Sequence, residues 1–353
     1  MILMPSKKPL QNRDQKSIQR SLHHLRIISY AAFILGALAL VSSVLILYVL
    51  APGIVHAVAS HQSTTTPNAT TSAAGSGGLG STLAGINTPL NSSALAVINN
   101  EPNAFFEQAG AAYLNGSLAD PIFPSTNKVA GFAYNNKTTV LYLGSITCVF
   151  CGENRWAMAL ALSRFGSFSK LFIGYSSFGD HDLPTIYWTQ VDYNGSTDEI
   201  GNYYSSNIIT FLSIEDTHPI TGGFVLNTLP QIESNIAAKG NSTYVKAFNY
   251  ILNLSNNKTT AFQGTPYTIW GRYLFSGADA EVFGNSTPTS STLPLTYMTH
   301  GQVLSQIANP TDQFAKGEYA AADLYVAAIC KSINNNAEVC SLPAIVSMES
   351  QLT

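Results

Sequence analysis

A strand, two cysteines and a helix in close succession constrain this chain more than any other feature. The run Thr139-Val140-Leu141-Tyr142-Leu143-Gly144 has strand character and leads within three residues into Cys148-Val149-Phe150-Cys151-Gly152. Behind it comes Trp156-Ala157-Met158-Ala159-Leu160-Ala161-Leu162, rich in helix formers. A helix that opens on a Cys-x-x-Cys points its unpaired N–H groups and the positive end of its peptide dipoles at the first sulfur. A thiol there ionises more readily than a free one. Cys148 is therefore expected to be the exposed, attacking sulfur. Cys151, one turn further in, is placed to resolve a mixed disulfide.

The meaning of the cysteines depends on the compartment. Residues 1–26 carry Lys7, Lys8, Arg13, Lys16, Arg20 and Arg26 against the single acid Asp14, a formal charge of +5, which leaves −8 for the rest. Residues 27–50 have no charged side chain, and as a helix they extend about 36 Å, enough to cross a bilayer core. The next Lys or Arg after the span is Lys128, so the positive charge lies on one flank. That asymmetry puts the N-terminus in the cytoplasm and the rest outside the cell membrane. The competing reading is a cleaved signal peptide ending near Ala57-Val58-Ala59, and it exports the same residues. Asn-x-Ser/Thr sequons begin at Asn68, Asn91, Asn115, Asn136, Asn194, Asn241, Asn253, Asn257 and Asn285, all beyond the span, as expected of an external glycoprotein. Outside the cytoplasm thiols can form lasting disulfides, so Cys148/Cys151 and Cys330/Cys340 read as two pairs.

The organisation expected is a basic cytoplasmic segment (1–26), a transmembrane helix (27–50), a Ser/Thr/Gly-rich linker (51–95) and a single extracytoplasmic domain (96–353). Charged residues make up only 10% of the chain, with no basic stripe beyond the N-terminus, which argues against nucleic-acid binding. Periodicity predicts helices over about 102–114, 242–254, 298–308 and 317–331. It predicts short strands at 170–175, 186–188 and 208–212. Gly264-Thr265-Pro266 opens a strand that turns at Gly271-Arg272 into a second one.

Strand, Cys-x-x-Cys and helix, followed much later by Gly-Thr-Pro before a hairpin, resemble the thioredoxin-like superfamily, and DsbA-like proteins in particular. The resemblance implies an α/β thioredoxin-like fold with an insertion between the Cys-x-x-Cys half and the proline half. It also implies a cis bond before Pro266, with Thr265 and Pro266 beside Cys148 and Cys151 as the substrate-binding segment. Over most of its length the chain is similar to an uncharacterised archaeal family of membrane-anchored proteins with such a region. The shared features are Tyr142-Leu143-Gly144, the Cys-x-x-Cys, Glu153-Asn154-Arg155-Trp156-Ala157, Leu162-Ser163-Arg164-Phe165-Gly166 and the late cysteine pair. Two positions depart from the superfamily pattern. Val149-Phe150 between the cysteines is neither His nor Pro, and Tyr142 occupies the position of the buried acid.

The activity this implies is thiol–disulfide exchange on protein thiols and disulfides, with Cys148 and Cys151 catalytic, no cofactor, and an electron-transfer partner at the membrane. The alternative is a non-catalytic surface or scaffold domain of the same fold in which both pairs are stabilising disulfides. Zinc is the weaker reading of the cysteines, because nine residues separate Cys330 from Cys340. That pair is expected to be a structural disulfide, with a second redox relay as the minority reading. Glu153 reads as a solvated first-turn residue, or else as a proton shuttle. Trp156 reads as core. Asp180, His181, Asp182 and His218 are read as polar loop residues rather than a metal site.

Overall fold

The computed structural model of the chain describes residues 85–118, 127–146, 148–176, 183–191, 198–217, 229–255, 265–276 and 298–352. The basic segment, the expected span at 27–50, Asp180 to Asp182 and His218 lie outside these residues. Among the described residues no helix is long and apolar enough to cross a membrane. The elements run α1 (Ser92–Asn99), α2 (Asn103–Leu114), β1 (Asn127–Lys128), β2 (Ala133–Tyr134), β3 (Lys137–Ser145) and α3 (Val149–Ser163). Next come β4 (Ser167–Phe168), β5 (Phe172–Tyr175), β6 (Pro184–Tyr187), β7 (Glu199–Ile200), β8 (Tyr204–Ser205) and β9 (Ile209–Asp216). The chain continues through α4 (Leu229–Ala238), α5 (Ser242–Ser255), β10 (Tyr267–Trp270), β11 (Tyr273–Ser276), α6 (His300–Ile307) and α7 (Gln313–Ser332). It ends with a 3₁₀ turn at Glu338–Ser341 and α8 (Pro343–Glu349).

Strand β3 is the middle of a mixed sheet of order β1-β11-β10-β3-β9-β7, with β2 also paired to β3. Its neighbour β9 is parallel, from Thr138↔Ile209 to Ser145↔Asp216, and β10 is antiparallel. A parallel neighbour requires a crossover, and α3 lies within it. Side chains alternate across the sheet as the pleat requires. Val140 and Tyr142 join the apolar cluster of α3 and α7, while Leu141 and Leu143 join that of α4 and α5. Helices therefore cover both faces, and β3 is apolar in consecutive positions rather than alternate ones.

Helices α3 and α7 are buried nearly all round, which explains why their sequences lack a polar stripe. The runs Ala159 to Leu162 and Ala320 to Ala322 are buried in the same apolar cluster. Side chains fix the ends of the terminal helices: Asn91 accepts from Ala94 N–H, Asp312 from Phe314 and Ala315, and Thr299 with Gln302 forms a capping box. The turn joining β10 to β11 is Gly271-Arg272, as expected. Gly271 has φ +63°, and a Cβ there would come within 2.4 Å of the Ser332 side chain on α7.

One expectation needs correction. The linker does not extend to residue 95: Pro89 bridges Phe172, Asn91 caps α1 and Ile98 is wholly buried, so residues 85–95 belong to the domain. Composition misled here because cap residues and linker residues are the same types, Asn, Ser and Pro. Strands β4 to β8 lie inside the crossover before β9, and α4 and α5 follow it.

Candidate active site

Between the end of β3 and the start of α3 lie only Ile146, Thr147 and Cys148. Cys148 is the N-cap of α3, with extended backbone at φ −83° and ψ 119°, and its sulfur accepts the Cys151 N–H at 3.3 Å. A Ser, Thr, Asp or Asn oxygen usually receives that N–H. Here a sulfur does, so the helix start and the chemistry of the sulfur share one hydrogen bond. On its other side the Cys148 thiol donates to the Thr265 carbonyl oxygen at 3.3 Å, and the Thr265–Pro266 peptide bond is cis. Cys151 is wholly buried, and its sulfur accepts the Ser145 N–H at 3.4 Å. Both residues are free thiols. The fold thus gathers Cys148, Cys151 and the Thr265–Pro266 segment in one place.

The expectation of an exposed attacking sulfur is corrected. Cys148 is 5% exposed and Cys151 0%, because the first turn of α3 and Thr265 enclose the cap. Their acidities nevertheless diverge. The Cys151 thiol, which donates to Cys148, does most to hold Cys148 below the ordinary thiol range against the opposing effect of burial. The Cys151 backbone N–H, the Thr265 side chain and Arg155 act in the same direction. Cys151 is pushed well up, first by burial and then because its proton is held by Cys148.

Immediately after the cysteines, α3 carries Glu153, Asn154 and Arg155 into the interior, each at most 4% exposed. Buried polar groups need partners. Asn154 is hydrogen-bonded to Tyr325 of α7 at 2.8 Å. Glu153 is not the solvated residue expected. It is buried, and its charge adds to the burial that keeps the carboxyl of Glu318 on α7 well above its usual range. Arg155 forks onto Glu215 of β9, Nε to Oε1 and Nη2 to Oε2, both at 2.9 Å, and Nη2 also reaches the Ser145 carbonyl at 3.0 Å. Burial works against the charged guanidinium, but Glu215 beside it keeps it charged. Burial raises Glu215 in turn, with Arg155 opposing.

Tyr142 donates to Glu215 Oε2 at 3.5 Å. It is wholly buried, and burial holds its hydroxyl far above the usual phenol range, so it stays a neutral donor. Gly144, two residues along on the same face, accounts for its course: an added Cβ there would lie 1.9 Å from the Tyr142 hydroxyl. Tyr142-Leu143-Gly144 is thus one device, a long side chain laid along its strand over a missing one.

The other singled-out residues lie elsewhere. Cys330 and Cys340 form a disulfide from the end of α7 to the 3₁₀ turn. Trp156 is fully buried and donates to the Pro184 carbonyl at 3.1 Å. No group of His, Cys, Asp and Glu among the described residues is arranged to hold a metal. The reading from sequence missed the roles of Arg155 and Glu215. Their signal is a cation at the head of the apolar run of α3 and an acid near the end of an apolar strand.

The sequence pattern of a family described as a domain of unknown function (DUF929) matches residues 126–331, from β1 to the end of α7. This stretch holds Cys148, Cys151, Arg155, Glu215 and Pro266. No curated protein matches the chain, and no solved structure does. Matched over more than half its length, and through every residue of the site just described, the chain belongs to the DUF929 family.

Proposed function

We propose that this protein is a membrane-anchored, extracytoplasmic thiol–disulfide oxidoreductase of thioredoxin-like fold that acts on protein substrates through Cys148 and Cys151. The observation that carries this reading is the setting of Cys148: a free thiol capping a buried helix, with the Cys151 N–H on its sulfur and a cis Thr265–Pro266 segment against it. The fold assignment rests on two halves that meet in one sheet. One is β3, α3 and parallel β9 with the cysteines, and the other is the hairpin β10–β11 and α7 with the proline. Anchoring rests on the uncharged run 27–50 behind a basic segment. Glycosylation is supported by Asn91, Asn115, Asn136, Asn241 and Asn253, the described sequon residues, all of which are exposed.

Starting from the free thiols, the Cys148 thiolate attacks one sulfur of a substrate disulfide. The Cys148–substrate bond forms as the substrate S–S bond breaks, and the departing sulfur leaves with the electron pair and takes up a proton. Cys151, on losing its proton, attacks Cys148, closes the Cys148–Cys151 bond and releases the second substrate thiol. The substrate gains two electrons and the dithiol loses two, and the reverse sequence oxidises a substrate dithiol. Turnover requires a membrane-side redox partner or a small-thiol pool.

One observation, the burial of both sulfurs, favours the second reading, a non-catalytic surface scaffold of the same fold. Full-length protein in detergent, equilibrated in glutathione buffers and followed by mass-resolved alkylation of Cys148 and Cys151, separates the two readings. A midpoint between about −120 and −270 mV supports exchange. A pair still oxidised well below about −300 mV supports the scaffold.

A further inference from the structure

Behind the dithiol, the Arg155–Glu215 pair is wholly buried, and the guanidinium keeps one nitrogen, Nη1, without a hydrogen-bond partner among the described residues. Nε is taken up by Glu215, and Nη2 reaches the cysteines through a single residue. The Ser145 carbonyl accepts both Arg155 Nη2, at 3.0 Å, and the Cys148 N–H, at 3.2 Å. The Ser145 N–H in turn donates to the Cys151 sulfur. Arg155 therefore holds, from behind and by its carbonyl, the residue whose backbone touches both cysteines. It also places a positive charge in a low-dielectric interior, where charges act strongly on their neighbours. The groups facing it are Tyr142 on β3 and Tyr187 on β6, with ring centroids at 5.8 and 5.3 Å, and Glu215 on β9. Glu215 is the acid among them, and it opposes that charge, without which a buried arginine would be costly.

Resting on the exchange reading of the site, we infer that Arg155 and Glu215 are positioning residues that together set the reactivity of the dithiol. Arg155 stabilises the Cys148 thiolate and fixes the Ser145 carbonyl, and Glu215 limits the effect of its charge. A pair kept only for stability would weaken the fold when either partner is lost. An electrostatic pair has a further signature: losing the cation and losing the anion must move the thiol in opposite directions.

The test is a titration of full-length protein by thiolate ultraviolet absorbance, in which Cys330 and Cys340 are bonded and silent. Neutralising the cation, Arg155→Met, is expected to raise the pH at which Cys148 ionises and to slow its alkylation at neutral pH several-fold. Arg155→Lys should recover part of the loss. Glu215→Gln, which keeps shape and removes charge, is expected to move the ionisation to lower pH and to speed alkylation under mildly acidic conditions. Shifts of the same sign, or none, overturn the inference. If Arg155→Met does not fold, the direction of the Glu215→Gln shift alone decides. Because absorbance reads ionisation whether or not any disulfide is exchanged, a wild-type protein that ionises normally but exchanges nothing defeats the exchange reading and leaves this result legible.

Discussion

The two cysteine pairs are equally buried and chemically unlike. Cys330 and Cys340 belong to the large apolar cluster, among Ile329, Val339 and Ile345, and they are bonded to each other. Neither Cys148 nor Cys151 belongs to that cluster. Their sulfurs meet the Cys151 N–H, the Ser145 N–H and the Thr265 carbonyl, with a guanidinium behind them, and they are free. Burial alone therefore does not separate a stabilising pair from a reactive one. What differs is the donors that could accommodate negative charge on sulfur: two N–H groups and a guanidinium at one pair, and none among the described residues at the other.

The sharpest way to break that contrast is to remove one pair at a time. Cys148→Ala should reduce disulfide exchange with a model protein substrate to the uncatalysed background, and Cys151→Ala should leave a mixed disulfide that can be trapped on Cys148. The double change Cys330→Ala/Cys340→Ala should leave exchange intact. If exchange is lost while the fold is kept, the late pair is a relay and the contrast is wrong.

Next in size is stability. Opening the loop closed by Cys330 and Cys340 should cost about 3 kcal/mol in urea unfolding, whereas Cys148→Ala should cost no more than about 1 kcal/mol. Gly144→Ala should destabilise by about 1–3 kcal/mol, since its methyl displaces Tyr142, and should disturb the titration of Cys148 as well.

The smallest effect, and the one that sharpens the contrast most, is that of pH. Glu318 and Asp323 on α7 are buried carboxyls held well above their usual range, chiefly by burial. Acids with a raised folded pKa give their full stability below the unfolded values and lose it as pH rises toward the folded ones. The thermal midpoint should therefore increase from pH 7 to pH 5, and Glu318→Gln should flatten that dependence and add about 1 kcal/mol at pH 7. Cys148 responds in the opposite sense, because a thiolate is lost as pH falls. Acid should thus firm the α7 region while quieting the dithiol. Calorimetry and alkylation rates on one sample would show whether the two move apart.

Much of this was legible in the sequence because local rules governed it. β3 and α3 announced themselves by composition, the hairpin by Thr-Pro and Gly-Arg, and the late cysteines by spacing and compartment. What escaped notice depends on non-local pairing. Glu215 reaches Arg155 only because β9 lies parallel to β3 with Glu215 opposite Gly144, and no periodicity specifies that register. Glu153 has the composition of a solvated first-turn residue and is buried only because α7 covers that side of α3. The start of the domain was missed because Asn91 serves as a helix cap within a segment that reads as linker.

The outer strands of the sheet carry a consequence of their own. Among the described residues the sheet ends in β1 and β7, two residues each, and β1 carries the exposed Lys128. A long bare strand edge invites another copy to extend the ladder, and short or lysine-bearing edges resist it. With only 10% of residues charged, copies of this chain repel one another weakly. Among the described residues, the sheet thus offers another copy little edge on which to extend the ladder.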